Sequence, residues 1–194
     1  MLQAIIKRDH ASDKMESINP IIQEAVEKAL EKLNTGLSYI DAELRNGTKA
    51  NLLYDIIKSG IKVGLAEFKD IKIKEKWGSI TLVIDNKLNA KIKKINNITG
   101  LPTFSKTSAT KAFLDQSQLS LFPDVPAPTN ICIGFKINDI YTQLLELKVL
   151  CINKNQMAWE PIDMKAEQTI SNEAFIADET TVKPRVTKKQ KKAQ

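Results

Sequence analysis

Apolar residues recur every three or four positions along Ile22, Val26, Ala29, Leu30 and Leu33, the period of a helix that buries one face. Asn19 followed by Pro20 has the form of an N-cap and first helical position, so the pattern predicts an amphipathic helix from there to about Gly36. Glu24 stands four residues before Lys28 on its polar side, the favourable order for a helical ion pair. A shorter helix is expected over Leu37 to Arg45, ending at Asn46-Gly47. Thr48 is then the expected cap of a third helix running from Lys49 to about Phe68. Gly60 and Gly64 weaken that helix, and their four-residue spacing puts both on one face, where a neighbouring element can approach closely.

Beyond Phe68 the period changes from 3.6 to 2. Ile71 and Ile73 alternate with Lys72, Lys74 and Lys76 in IKIKEKW; Ile80, Leu82 and Ile84 share a face, as do Leu88, Ala90 and Ile92. Three consecutive strands follow from this, the last two joined by the three-residue loop Asp85-Asn86-Lys87, which keeps both apolar sets on one side. The same register puts Lys91 and Lys93 on the other face, with Lys72, Lys74 and Lys76 if the first strand joins the sheet. Such rows of lysine are what a solvated sheet surface carries, and they deter edge pairing. A short helix is expected over Thr107 to Gln116. Ile131, Ile133, Phe135 and Ile137, then Leu145, Leu147, Val149 and Cys151, alternate as a second antiparallel pair, and Met157 to Ile162 forms an edge strand on which Trp159 covers the core. Cys132 points away from the face of Cys151, so no disulfide joins them.

With 194 residues and 42% hydrophobic content the chain has apolar material for one core. The expected fold class is α+β, a single domain over 1–163 with N-terminal helices followed by a mainly antiparallel sheet, and a polar, basic, disordered tail over 164–194. The N-terminus meets charge after six residues, and no run approaches the ~18 apolar residues of a membrane span, so a cytoplasmic protein without membrane contact is expected. The net charge of +6 is carried by Lys183, Arg185, Lys188, Lys189, Lys191 and Lys192, since without them 23 basic residues face 23 acidic ones. These six are the candidate nucleic-acid contacts, each able to neutralise a phosphate; the bland reading is a solubilising tail. One histidine and two cysteines cannot assemble a zinc-type ligand set, and no phosphate-binding glycine loop occurs, so no metal or cofactor is expected. Ser105, Thr107 and Ser108 read as loop or capping residues, and His10 as a surface residue.

Gln118-Leu119-Ser120-Leu121-Phe122, between the short helix and the prolines at 123, 126 and 128, puts large apolar side chains on a connection. Those side chains either plug the core or bind a partner. QLSLF resembles, at all five positions, the pentapeptide with which bacterial replication and repair proteins dock on the DNA polymerase sliding clamp. The resemblance implies that Gln118 hydrogen-bonds at the rim of a cleft, that Leu121 and Phe122 fill its apolar pocket, and that Leu119 and Ser120 support them. It implies a non-catalytic bacterial or phage protein that recruits to, or inhibits, the replication machinery. The alternative is a protein-interaction partner in a two-gene defence or toxin-antitoxin pair, with QLSLF in the core. A third reading rests on the order of elements from Lys49 to Ile137, which is similar to the core of PD-(D/E)xK nucleases, with Glu67, Asp85 and Lys91 as acid, acid and lysine. There Asn89 replaces the second strand carboxylate that would help hold a metal.

Overall fold

The computed structural model describes residues 2–37, 44–116, 127–153 and 156–164. The first helix, α1, runs over Leu2–Leu37 with Pro20 inside it, so the expected start at Asn19-Pro20 is corrected. Ala11, Met15 and Ile18 continue the stripe of Ile22, Val26, Ala29 and Leu33 back through the proline, and all seven are buried. A proline inside a helix costs about 3 kcal/mol, but burying Met15 and Ile18 returns roughly 1.5 to 3 kcal/mol each. His10 is half-buried on this extension rather than on a free surface.

The second helix, α2, spans Asn46–Gly64. Asn46 and Gly47 open this helix instead of closing an earlier one, and Thr48 is not its cap: the backbone N–H groups of Thr48 and Lys49 donate to the Arg45 carbonyl. First-turn N–H groups have no partner inside the helix, which makes polar and small residues inexpensive there. Residues 38–43 of the expected 37–45 helix lie outside the described residues. Leu53, Ile57 and Ile61 face α1 and the sheet, and Gly60 and Gly64 face Ala25 and Ile21 of α1, the close approach their spacing implied.

Six strands form one sheet in the order β1-β2-β3-β4-β5-β8: β1 Ile71–Lys76, β2 Ser79–Ile84, β3 Leu88–Lys94, β4 Thr129–Ile137, β5 Leu144–Leu150 and β8 Ile162–Asp163. The β6 (Ile152–Asn153) and β7 (Gln156–Met157) strands form a separate small hairpin. The expected Met157 to Ile162 strand is therefore divided between β7 and β8, with Trp159 packed against the core between them. Among the described residues all pairs are antiparallel except β3 with β4, which are parallel and joined by a crossover that includes α3, Ser108–Leu114. The first strand ends at Lys76, and Trp77-Gly78 make the turn into β2. Between Lys136 and Ile137 the register shifts so that Ile137 pairs with Leu144. Leu144 is consequently buried and Leu145 exposed, the reverse of the strict alternation expected for β5.

The two helices cover one face of the sheet, with Ile80, Leu82, Ile84, Leu88, Ala90, Ile92, Ile131 and Ile133 beneath them. The crossover lies on the opposite face, where Ile95, Cys132 and Leu150 cluster with Phe104. The architecture is α+β, helices first and a mainly antiparallel sheet second. Both cysteines are free, on opposite faces. Among the described residues no helix is long and apolar enough to cross a membrane.

Candidate functional site

The pentapeptide Gln118, Leu119, Ser120, Leu121 and Phe122 lies outside the described residues, as do the tail cations Lys183, Arg185, Lys188, Lys189, Lys191 and Lys192. What the structure fixes is the frame from which residues 117–126 depart. Thr107 caps α3, its side chain accepting from the Thr110 N–H at 3.2 Å, and just beyond the helix Gln116 takes a left-handed conformation with φ +53°. The Gln116 side-chain amide donates to the carbonyls of Asn130 (2.8 Å) and Ile152 (3.1 Å), and its Oε1 accepts from the Asn130 N–H at 2.9 Å. Asn130, almost fully buried, donates through its own amide to the Phe113 carbonyl at 2.9 Å and accepts from Asn89 at 3.1 Å. The Thr129 N–H donates to the Lys87 carbonyl at 2.8 Å. Gln116, Asn130 and Asn89 thus join the end of α3 to the starts of β3 and β4. Buried amides of this kind are costly unless every group is paired, and here the pairing ties both ends of the 117–126 segment to one end of the sheet.

On the face turned away from α1 and α2, Lys72, Lys74 and Lys76 of β1 stand beside Val83, Thr81 and Ser79 of β2. Thr81 in turn pairs with Lys91, which brings β3 and its Lys91 and Lys93 into the same surface. The first strand does join the sheet, so the lysine face has the composition the alternation implied. Lys91 Nζ lies 4.4 Å from the centre of the Phe113 ring of α3. Burial holds the Lys91 ammonium below its ordinary range, and the neighbouring charge of Lys93 adds to the effect. Glu75 of β1 faces the other way and pairs with Lys58 (3.3 Å) and Lys62 of α2.

At the end of the strands opposite to Gln116 and Asn130, Tyr54 and Asp55 of α2 line an open hollow of about 460 Å³ together with Trp77, Lys93, Lys94 and Phe135. The alternation did not single out Trp77 or Tyr54. Trp77 reads as the last residue of a strand until the Trp-Gly pair between two alternating runs is recognised as a two-residue hairpin turn.

The nuclease-like trio is not gathered. Asp85 sits in the β2–β3 turn and binds Lys14 of α1 at 2.6 Å, Glu67 lies in the exposed turn after α2, and Lys91 points to the opposite face beneath α3. Among the described residues no group of three or more His, Cys, Asp or Glu side chains is placed to hold a metal ion. Comparison with family models, with curated proteins and with solved structures found no match to this chain.

Proposed function

We propose that this protein docks on the bacterial DNA polymerase sliding clamp through residues 118–122, and thereby recruits to the replication machinery or blocks it. The observation that carries the reading is the full five-position match of QLSLF to the clamp-binding pattern. Its setting supports it: the motif lies between Gln116 and Asn130, whose hydrogen bonds join the end of α3 to the start of β4. In this reading Leu121 and Phe122 serve the partner. Burying them is worth roughly 1.5 to 3 kcal/mol each, which suffices for about micromolar affinity from a short segment. The prolines at 123, 126 and 128 favour extended backbone and lower the entropy lost on binding. In the same reading the cationic residues from Lys183 to Lys192 keep the protein near DNA.

The test is surface plasmon resonance of the full chain against purified clamp, beside a Leu121→Ala/Phe122→Ala variant. Binding by the native chain is expected, with at least a hundredfold loss in the variant and an unchanged circular dichroism spectrum. No binding by the native chain rejects the proposal. A variant that unfolds assigns the two side chains to the core.

A further inference from the structure

Lysines on an edge strand keep other strands from pairing with it, which accounts for Lys72, Lys74 and Lys76 on β1. That reason does not reach Lys91 and Lys93, because β3 is an interior strand paired on both sides. Glu75 and Asp85 are the only acids between Ile71 and Lys94, and both are bound by lysines of the helices. Among the described residues none of Lys72, Lys74, Lys76, Lys91 and Lys93 is in an ion pair. Lys91 lies half-buried against the Phe113 ring, so the fold gathers four cations, Lys72, Lys74, Lys76 and Lys93, at the surface of three adjacent strands, and none of them is paired with a carboxylate among the described residues.

Trp77 is an independent observation at the rim of the same surface. It is 88% exposed, so burial does not explain an indole there. Its φ of +49° and that of Gly78, +72°, belong to a two-residue hairpin turn whose first position favours Asn, Asp or Gly. Turn preference therefore opposes tryptophan at this position. Lys76 Nζ stands 4.4 Å from the ring centre, and Lys93, whose Nζ lies 6.0 Å from the Tyr54 ring of α2, shares with the indole the hollow between α2 and the ends of the strands. A flat aromatic surface beside a row of unbalanced cations is the combination that holds unpaired bases and their phosphates.

We propose that this face binds single-stranded nucleic acid, with Lys72, Lys74 and Lys93 on the phosphates and Trp77 stacked on a base. A duplex keeps its bases stacked on one another and offers the indole no partner, so the single strand is the form that uses both features. The site lies at the opposite end of the strands from Gln116 and Asn130 and does not rest on clamp binding.

Fluorescence anisotropy with a labelled oligothymidine of roughly 20 nucleotides, across a salt series, tests this on the full chain. Lys72→Gln/Lys74→Gln/Lys93→Gln should weaken binding at least tenfold and flatten the log-log salt slope by up to about 2, at roughly 0.7 per phosphate lost. Trp77→Ala should weaken it by about 5- to 150-fold. A full-length variant with the six tail cations replaced by Gln should retain binding and the effects of both face variants. Tryptophan emission of the native chain should fall on adding the oligonucleotide, and Trp77→Phe should abolish that fall, a readout that needs no change of charge. The proposal is overturned if the native chain binds no oligonucleotide or if the tail variant loses all affinity. It also fails if the lysine variant binds like the native chain, or if duplex binds equally well with Trp77→Ala unaffected.

Discussion

Gly134, in the middle of β4, is the residue on which the crossover is seated. A Cβ there would stand 2.7 Å from Cγ1 and 2.8 Å from Cδ1 of Ile95, and 3.0 Å from Cδ1 of Leu150. These neighbours belong to the small second-face cluster with Cys132 and Phe104, so the glycine makes room for the chain leaving β3 to lie flat on the sheet. Gly134→Ala is expected to destabilise the protein by about 1 to 3 kcal/mol through overpacking, and Ile95→Val should recover part of the loss. Urea unfolding of the two single variants and the double variant checks this; no loss in Gly134→Ala would mean that Ile95 swings aside freely. Cys132 shares this cluster, and burial pushes its thiol well up, as it does that of Cys151, to about 11. Both side chains act as small apolar groups, in keeping with the opposed faces read from the alternation.

At the scale of elements the proline in α1 raises the sharpest question, because it lies in an exposed position of a helix whose buried stripe passes straight through it. Pro20→Ala restores a backbone N–H and removes the ring's clash with the preceding turn, a gain of about 3 kcal/mol. The entropy that proline removes from the unfolded chain offsets about 0.4 to 1 kcal/mol of that. A thermal midpoint higher by roughly 4 to 8 °C is expected in a calorimetric scan. An unchanged or lower midpoint would show that Pro20 contributes to the seating of α1 on the sheet. The same residue explains why the start of α1 was not legible: Asn-Pro is a local helix-start signal, whereas the stripe of Ala11, Met15 and Ile18 is buried by partners distant in sequence. The strands were legible because Ile alternates with Lys over β1, and Ile or Leu with polar residues over β3, which sets both faces at once. The parallel pairing of β3 with β4 depends on the long crossover between them, and no local pattern encodes it. The inward Leu144 depends likewise on the register shift opposite it. Of the candidate surface, the lysine row could be read from the period of 2, while the exposure of Trp77 required the turn to be placed.

Across the whole molecule the half of α1 before Pro20 is tied to the sheet by charge as well as by packing. Lys14 binds Asp85 of the β2–β3 turn at 2.6 Å and lies 3.7 Å from Asp70, just before β1. The hydrogen bond from Lys14 holds the Asp85 carboxyl below its ordinary range, and Asp85 in turn raises Lys14. Lys62 and Lys58 lower Glu75 in the same way, between α2 and β1, as Lys148 and Lys136 lower Glu146 on the sheet. A carboxyl whose folded value is depressed contributes stability that is present above its unfolded value, near 4, and is lost as pH falls through the folded value. Stability should therefore decline on acidification below about pH 4 as these three carboxylates are protonated. Asp85→Asn should be less stable than the native protein at pH 7, with the difference closing as pH falls through the folded value of Asp85. Lys14→Gln should behave alike, and the double variant should add little to either, because the pair acts as a unit. Both side chains are partly exposed, so high salt should narrow the gap at pH 7. Thermal unfolding of the four proteins from pH 2.5 to 7 at two salt concentrations gives the comparison. A gap independent of pH would reduce the Lys14–Asp85 contact to incidental proximity and leave packing alone to hold the first half of α1 against the sheet.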